Sequence, residues 1–144
     1  MEGLFSIRDA RDGDMELIDA YAHAEGMDRI PGPDCVRVAV NDEDVVVAFC
    51  RLQDDANGIA YVNPIVTYAA WRGYGVGRAL IEDARAIAGE LRLIARGTSE
   101  GFYRKLGFVE MPWSDVDLEA ASEECDTCPY RESCGPVPMR LAQP

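Results

Sequence analysis

Apolar and polar positions along the chain fall into short β-rich runs separated by stretches with helical spacing, and this alternation predicts a mixed α/β unit. Leu4 to Arg8 reads as a first strand. Asp12 or Asp14 is placed to cap a helix running to about Gly26, with Leu17, Ile18, Tyr21 and Ala22 as its apolar stripe. Cys35 to Val40 and Val45 to Leu52 are rich in β-branched residues and flank the polar turn Asn41-Asp42-Glu43-Asp44, which predicts an antiparallel hairpin. Ile59 to Tyr68 is a longer strand in which Asn63-Pro64 should break the ladder locally, because proline has no N–H to donate. A glycine-rich stretch then leads into a helix whose apolar positions are Val76, Leu80, Ala84, Ile87 and Leu91. Leu91 to Ala95 is a fifth strand, Thr98 or Ser99 caps a helix through Lys105, and Gly107 to Met111 is a short strand. Pro136 to Leu141 closes the pattern as a last strand paired with the previous one. The 24 residues from Pro112 to Gly135 exceed an ordinary loop, so a short helix is expected near Ser114 to Glu124.

Composition narrows the picture. A chain of 144 residues with 48% apolar and 28% charged residues fits one soluble globular domain. No apolar run approaches the roughly 18 residues of a membrane span, and the acidic N-terminus does not resemble a secretory leader, so no membrane partner and a cytoplasmic location are expected. The net charge of -12 opposes phosphate binding over the surface as a whole, and no concentrated basic patch points to nucleic acid. Half of the imbalance sits in Pro112 to Gly135, with seven acids and one Arg. The sequence leaves a homo-oligomer open.

Candidate chemistry begins at Arg72-Gly73-Tyr74-Gly75-Val76-Gly77, directly ahead of a helix. Backbone N–H groups at a helix start attract anions, and glycines admit a phosphate without an intervening Cβ. The glycines are spaced GxGxG, no Lys-Ser/Thr follows, and no βαβ half opens the chain, so dinucleotide-fold and P-loop readings lose support. A turn used only for close packing is the plain alternative.

With a second segment, Gly101-Phe102-Tyr103-Arg104-Lys105-Leu106-Gly107-Phe108, the pattern resembles the GCN5-related N-acetyltransferase (GNAT) family. Arg72, Gly75 and Gly77 fit that family's Arg/Gln-x-x-Gly-x-Gly/Ala signature, and the second segment fits its FYxKLGF stretch. The resemblance covers roughly Leu4 to Met111 and extends to the final strand through Val137 to Leu141. It implies an α/β (α+β) fold with a mixed, largely antiparallel sheet, splayed between strands four and five and flanked by helices. It also implies an acetyl-CoA-dependent N-acetyltransferase in which a primary amine of a small molecule or peptide attacks directly in a ternary complex. The cofactor's diphosphate would lie on the N–H groups of Gly73, Tyr74, Gly75, Val76, Gly77 and Arg78, beside Arg72, and its pantetheine arm would pair with backbone at Ile65, Val66 and Thr67. Tyr103 matches the tyrosine that in many relatives protonates the departing thiolate.

Two departures from the family matter. Relatives often carry a Glu on strand four, whereas Ile59 to Tyr68 contains no Asp, Glu or His. Proton removal from the amine would then pass through water and polar groups such as Asn63, Tyr61 or Tyr68, or fall to a carboxylate of the first helix or of the acidic insert. Arg96 also stands where relatives often have Asn. These departures keep a second reading in play, a noncatalytic CoA- or metal-sensing interaction module of the same fold.

Five cysteines preclude a complete intramolecular disulfide set. A two-residue turn at Asp42-Glu43 would set Cys35 opposite Cys50, where both would serve as small buried fillers. Cys125, Cys128 and Cys134 form a CxxC with a third cysteine six residues on, a spacing suited to zinc or an iron–sulfur cluster, with redox-active or inert thiols as the alternative. This run resembles the cysteine knuckle of iron–sulfur-containing nucleases over ten residues, with His23 as a candidate fourth ligand. If strands four, five and six are arranged as in the GNAT family, the insert would wall the acceptor pocket, and a metal or cluster fixing it would shape selectivity for a cationic or amine-bearing acceptor.

Overall fold

The computed structural model describes residues 4–96, 98–121 and 135–144. Its strands are β1 (Ser6–Asp9), β2 (Val36–Val40), β3 (Val46–Asp54), β4 (Ala60–Thr67), β5 (Leu91–Ala95), β6 (Val109–Glu110) and β7 (Val137–Leu141). Its helices are α1 (Met15–Ala24), α2 (Val76–Ala88), α3 (Glu100–Lys105) and α4 (Leu118–Ala121), with 3-10 turns at Asp12–Asp14, Ala69–Trp71 and Trp113–Asp115. The strands form one seven-stranded sheet in the order β1-β2-β3-β4-β5-β7-β6. β4 and β5 run parallel, and the pairings β1–β2, β2–β3, β5–β7 and β6–β7 are antiparallel. The mixed, largely antiparallel sheet expected from the sequence is therefore present. No helix among the described residues is long and apolar enough to cross a membrane.

Two compact units divide the chain, parting within β4 between Asn63 and Pro64. The first takes in residues up to Leu52 together with Pro64–Ala84. Its core gathers Ile18 and Ala22 of α1 with Val36, Val38, Val40, Val46, Phe49 and Val66 from the strands. Inward positions alternate along β2 and recur four apart on α1, so the two periodicities converge on one apolar cluster. Arg37 of β2 and Asp83 of α2 join in a two-pronged ion pair at 2.9 Å for each contact. Arg8 holds Asp14 in the same fashion at 2.7 and 3.1 Å.

That second pair refines one expectation. Asp14 occupies the N-cap position of α1 but its side chain makes no capping bond there: its carboxylate accepts the Arg11 N–H at 2.8 Å and so closes the 3-10 turn ahead of the helix. The Arg8 guanidinium, aided by that N–H and opposed by burial, lowers the Asp14 carboxyl below the ordinary range.

The hairpin also differs from expectation. Arg37, not Cys35, faces Cys50, and the cross-strand partners of Val36 to Ala39 sum to 87 rather than 85. The loop holds three residues, Asp42 to Asp44, closed by the Asn41 N–H to Val45 C=O bond, with Asp44 in the left-handed region at φ 62. A bulge between Ala39 and Val40 adds the second residue of shift. Cys35 precedes β2 in the left-handed region at φ 63 and is exposed, while Cys50 is buried with its thiol pushed up to about 12 by desolvation and, secondarily, by Asp83.

The second unit comprises Gln53–Asn63 and the described residues from Arg85 onward. Tyr61 is fully buried and centres a cluster with Met111 and Ala120, against which Ile94 and Val116 pack. β4 pairs with β5 at Ala60–Leu91 and Tyr61–Arg92, and the registered parallel ladder stops there, before Asn63-Pro64. On α2, Ile81 is buried and Ile87 is 61% exposed, so the inward stripe runs through Val76, Leu80, Ile81 and Ala84 and omits Ile87.

Candidate functional site

In the first unit, the second half of β4 leads through a 3-10 turn into the glycine loop and α2. Strand alternation turns Val66 into the core, so within Ile65, Val66 and Thr67 the Val66 side chain is committed to packing and only its backbone remains for a ligand. The first helical bond of α2 runs from the Ala79 N–H to the Gly75 C=O at 3.0 Å. The N–H groups of Val76, Gly77 and Arg78 thus precede the helical ladder, where donors have no partner within the helix. No acid occupies the first turn of α2 to compete for an anion.

Gly73 and Gly75 adopt φ 88 and 80, and a Cβ built on either meets nothing within 4 Å. Glycine is required here for backbone conformation, with open space beside it, which argues against the close-packing alternative. Open space beside the two glycines leaves a diphosphate free to approach the backbone. Of the other signature residues, Val76 is buried, Tyr74 is 48% exposed with its ring 5.6 Å from that of Trp71, and Arg78 is exposed. Arg72 pairs with Glu25, the residue just past the end of α1.

The same surface carries a feature the sequence reading did not identify as functional. Tyr21 of α1 stacks on Tyr68 with ring centroids 5.2 Å apart and donates its hydroxyl to the Val46 C=O at 2.8 Å. Burial, with a smaller contribution from Tyr68, raises the Tyr21 phenol above its usual range. The four-residue spacings from Tyr21 to Glu25 and from Tyr68 to Arg72 are visible in the sequence, but which residue meets which is not.

In the second unit, Tyr103 lies on α3 and is buried at 9% exposure. Its ring meets Phe102 and Phe108 edge-on at 5.1 and 5.4 Å. Ser99 does not cap α3 with its side chain and donates instead to the Arg96 C=O at 2.8 Å. Tyr61 is removed from the set of proton-relay candidates: its hydroxyl accepts the Asp117 N–H at 2.9 Å, and the residue has no exposure to solvent. Tyr68 remains exposed at 47%.

Cys125, Cys128 and Cys134 lie outside the described residues. Among the described residues no group of three or more His, Cys, Asp or Glu side chains is arranged to hold a metal, and His23 is exposed on α1.

Comparison with known proteins settles the lineage. Residues 33–110 match the acetyltransferase (GNAT) domain. The chain belongs to the GNAT family. It is 39% identical over 83 residues to the peptidyl-lysine N-acetyltransferase YjaB of Escherichia coli K12, a match that covers 56% of this chain and 53% of that protein. The chain thus spans about half the length of the curated relatives it matches. Among solved GNAT-like structures, Rv2747 from Mycobacterium tuberculosis, in complex with CoA, superposes with a TM-score of 0.77 at 17% identity, covering 96% of this chain and 99% of that one. The N-acetylglutamate synthase of Neisseria gonorrhoeae, complexed with coenzyme A and N-acetyl-glutamate, gives 0.75 at 19% identity, covering all of this chain and 36% of that one. At such identities these likenesses establish a common fold.

Proposed function

We propose that the chain is an acetyl-CoA-dependent N-acetyltransferase acting on a primary amine of a peptide or small molecule. The observation that carries this reading is the loop ahead of α2, where two positive-φ glycines open beside helical N–H donors. Family membership and the name of the Escherichia coli relative support the same chemistry. The net charge of -12 favours a cationic acceptor.

Acetyl-CoA, when bound, supplies the acetyl group as an activated thioester. The N–H groups of Val76, Gly77 and Arg78 hold the diphosphate charge. Backbone at Ile65, Val66 and Thr67 receives the pantetheine arm as an added strand would be received, and its N–H groups polarise the acetyl carbonyl. Attack by the neutral amine nitrogen forms the new C–N bond as the C–S bond breaks. Tyr103 delivers its phenolic proton to the departing sulfur, a task suited to a hydroxyl shielded from bulk water. The amine loses its proton through water in contact with Tyr68 or Asn63, or to a carboxylate of α1 or the acidic insert.

Acetyl-CoA and a lysine-containing peptide, incubated with the chain, should yield acetylated peptide and one equivalent of CoA, both read by chromatography. CoA binding without release by any amine would instead favour the noncatalytic module, a reading to which β4's lack of a carboxylate or imidazole lends weight. Tyr103→Phe should lower kcat about 100-fold or more while leaving the KM for acetyl-CoA unchanged. An unaltered kcat would reduce Tyr103 to packing.

A further inference from the structure

Two contacts, both in the first unit, join α1 to the segment that leads from β4 into the glycine loop. Tyr21 stacks on Tyr68, and Glu25 pairs with Arg72. Tyr21 and Glu25 are one helical turn apart, and Tyr68 and Arg72 are separated by the 3-10 turn Ala69–Trp71, so the contacts form two successive rungs. The first rung is anchored to adjacent residues of β3: the Tyr21 hydroxyl donates to the Val46 C=O and the Tyr68 N–H to the Val47 C=O, each at 2.8 Å. The spacer between the rungs is itself bonded, Trp71 N–H to Tyr68 C=O at 2.8 Å and Arg72 N–H to Ala69 C=O at 3.2 Å.

Beyond Arg72 this order gives way to Gly73 and Gly75, which have wide backbone freedom and no atoms within 4 Å of an added Cβ. Apart from the ring contact of Tyr74 with Trp71, the loop's conformation depends on its two ends. α2 fixes one end. We propose that Glu25, backed by the Tyr21–Tyr68 stack, is a positioning residue that fixes the other, holding Arg72 as a brace for the loop and not as a ligand of the anion. The Arg72 charge is met by Glu25, and the diphosphate is left to the backbone donors at the start of α2. This inference rests on the reading of the loop as the cofactor's diphosphate site.

The two roles of Arg72 predict opposite signs. If Arg72 is a brace, Glu25→Gln and Arg72→Gln break the same contact. Each should weaken CoA binding by about two- to fivefold in calorimetric titration, the range for an exposed pair, and the double variant should be no weaker than either single one. The KM for acetyl-CoA should rise with kcat retained, and hydrogen exchange of amides 72–78 should quicken in both single variants without any CoA present. If Arg72 is an anion ligand, Glu25→Gln leaves CoA binding unchanged or tightens it while Arg72→Gln alone weakens it, and the brace is refuted. Unchanged exchange at 72–78 in Glu25→Gln refutes it equally. Failure of the unsubstituted chain to bind CoA would overturn the loop assignment, and the positioning role with it, an outcome separable from failure of the brace alone.

Discussion

The two segments that carry the family's signatures use their residues in opposite ways. Between Arg72 and Gly77 the side chains are mostly exposed, and the information lies in the backbone, where two glycines take φ values that L residues rarely adopt. Between Phe102 and Phe108 the information lies in side chains, with Tyr103 and Phe108 buried edge-to-face. A backbone motif fails through conformation and a packed motif fails through volume. Glycine patterns and aromatic patterns of equal legibility therefore call for different substitutions.

The largest effect is expected on the packed side. Phe108→Ala should destabilise the fold by about 3–5 kcal/mol in denaturant titration, against less than about 1 kcal/mol for Tyr74→Ala on the loop. Near-equal losses would collapse the distinction. A site outside both segments comes next. Asp14→Asn should cost about 1–3 kcal/mol at neutral pH, since it leaves Arg8 and the Arg11 N–H short of their acceptor. The Asp14 carboxyl is lowered in the folded state, so its contribution is present above the ordinary carboxylate pKa and is lost as pH falls through and below about 4. Stability curves of the parent and the Asn variant should converge in acid, and parallel curves would remove Asp14 from the account. The smallest effect belongs to the loop: Gly75→Ala should cost about 1–2 kcal/mol from its positive φ alone, with Gly75→Asn costing less. An alanine without cost would mean that the loop is not held in this conformation.

Much of this was readable beforehand, because periodicity and signature spacing act locally. The strands, α2 and the glycine loop follow from alternation, a helical stripe and a GxGxG run. The hairpin register did not follow, for a specific reason. From Val36 to Ala39 the actual register differs from the expected one by two residues, and strand side chains alternate with period two, so these residues keep their faces under either register. Hydrophobic pattern is blind to such a shift, and only the left-handed Asp44 and the bulge at Ala39/Val40 decide it. Tyr61 misled in a different manner. A tyrosine on a strand can point its hydroxyl to solvent or into a core, and the choice depends on Asp117, 56 residues away in sequence. Arg72 is placed beside the cofactor by the family signature, and its pairing with Glu25 depends on a tertiary approach that no local pattern encodes.

The buried phenol of Tyr61 has a consequence for how this chain tolerates change. It moors Asp117, and Asp117 in turn accepts the Ala120 N–H at 3.0 Å at the start of α4. Because the phenol accepts a backbone N–H, any residue except proline at position 117 can keep that bond, whereas the bond to the Ala120 N–H needs a side-chain acceptor there. Substitution at 117 should therefore cost the start of α4 its acceptor before it costs Tyr61 its partner.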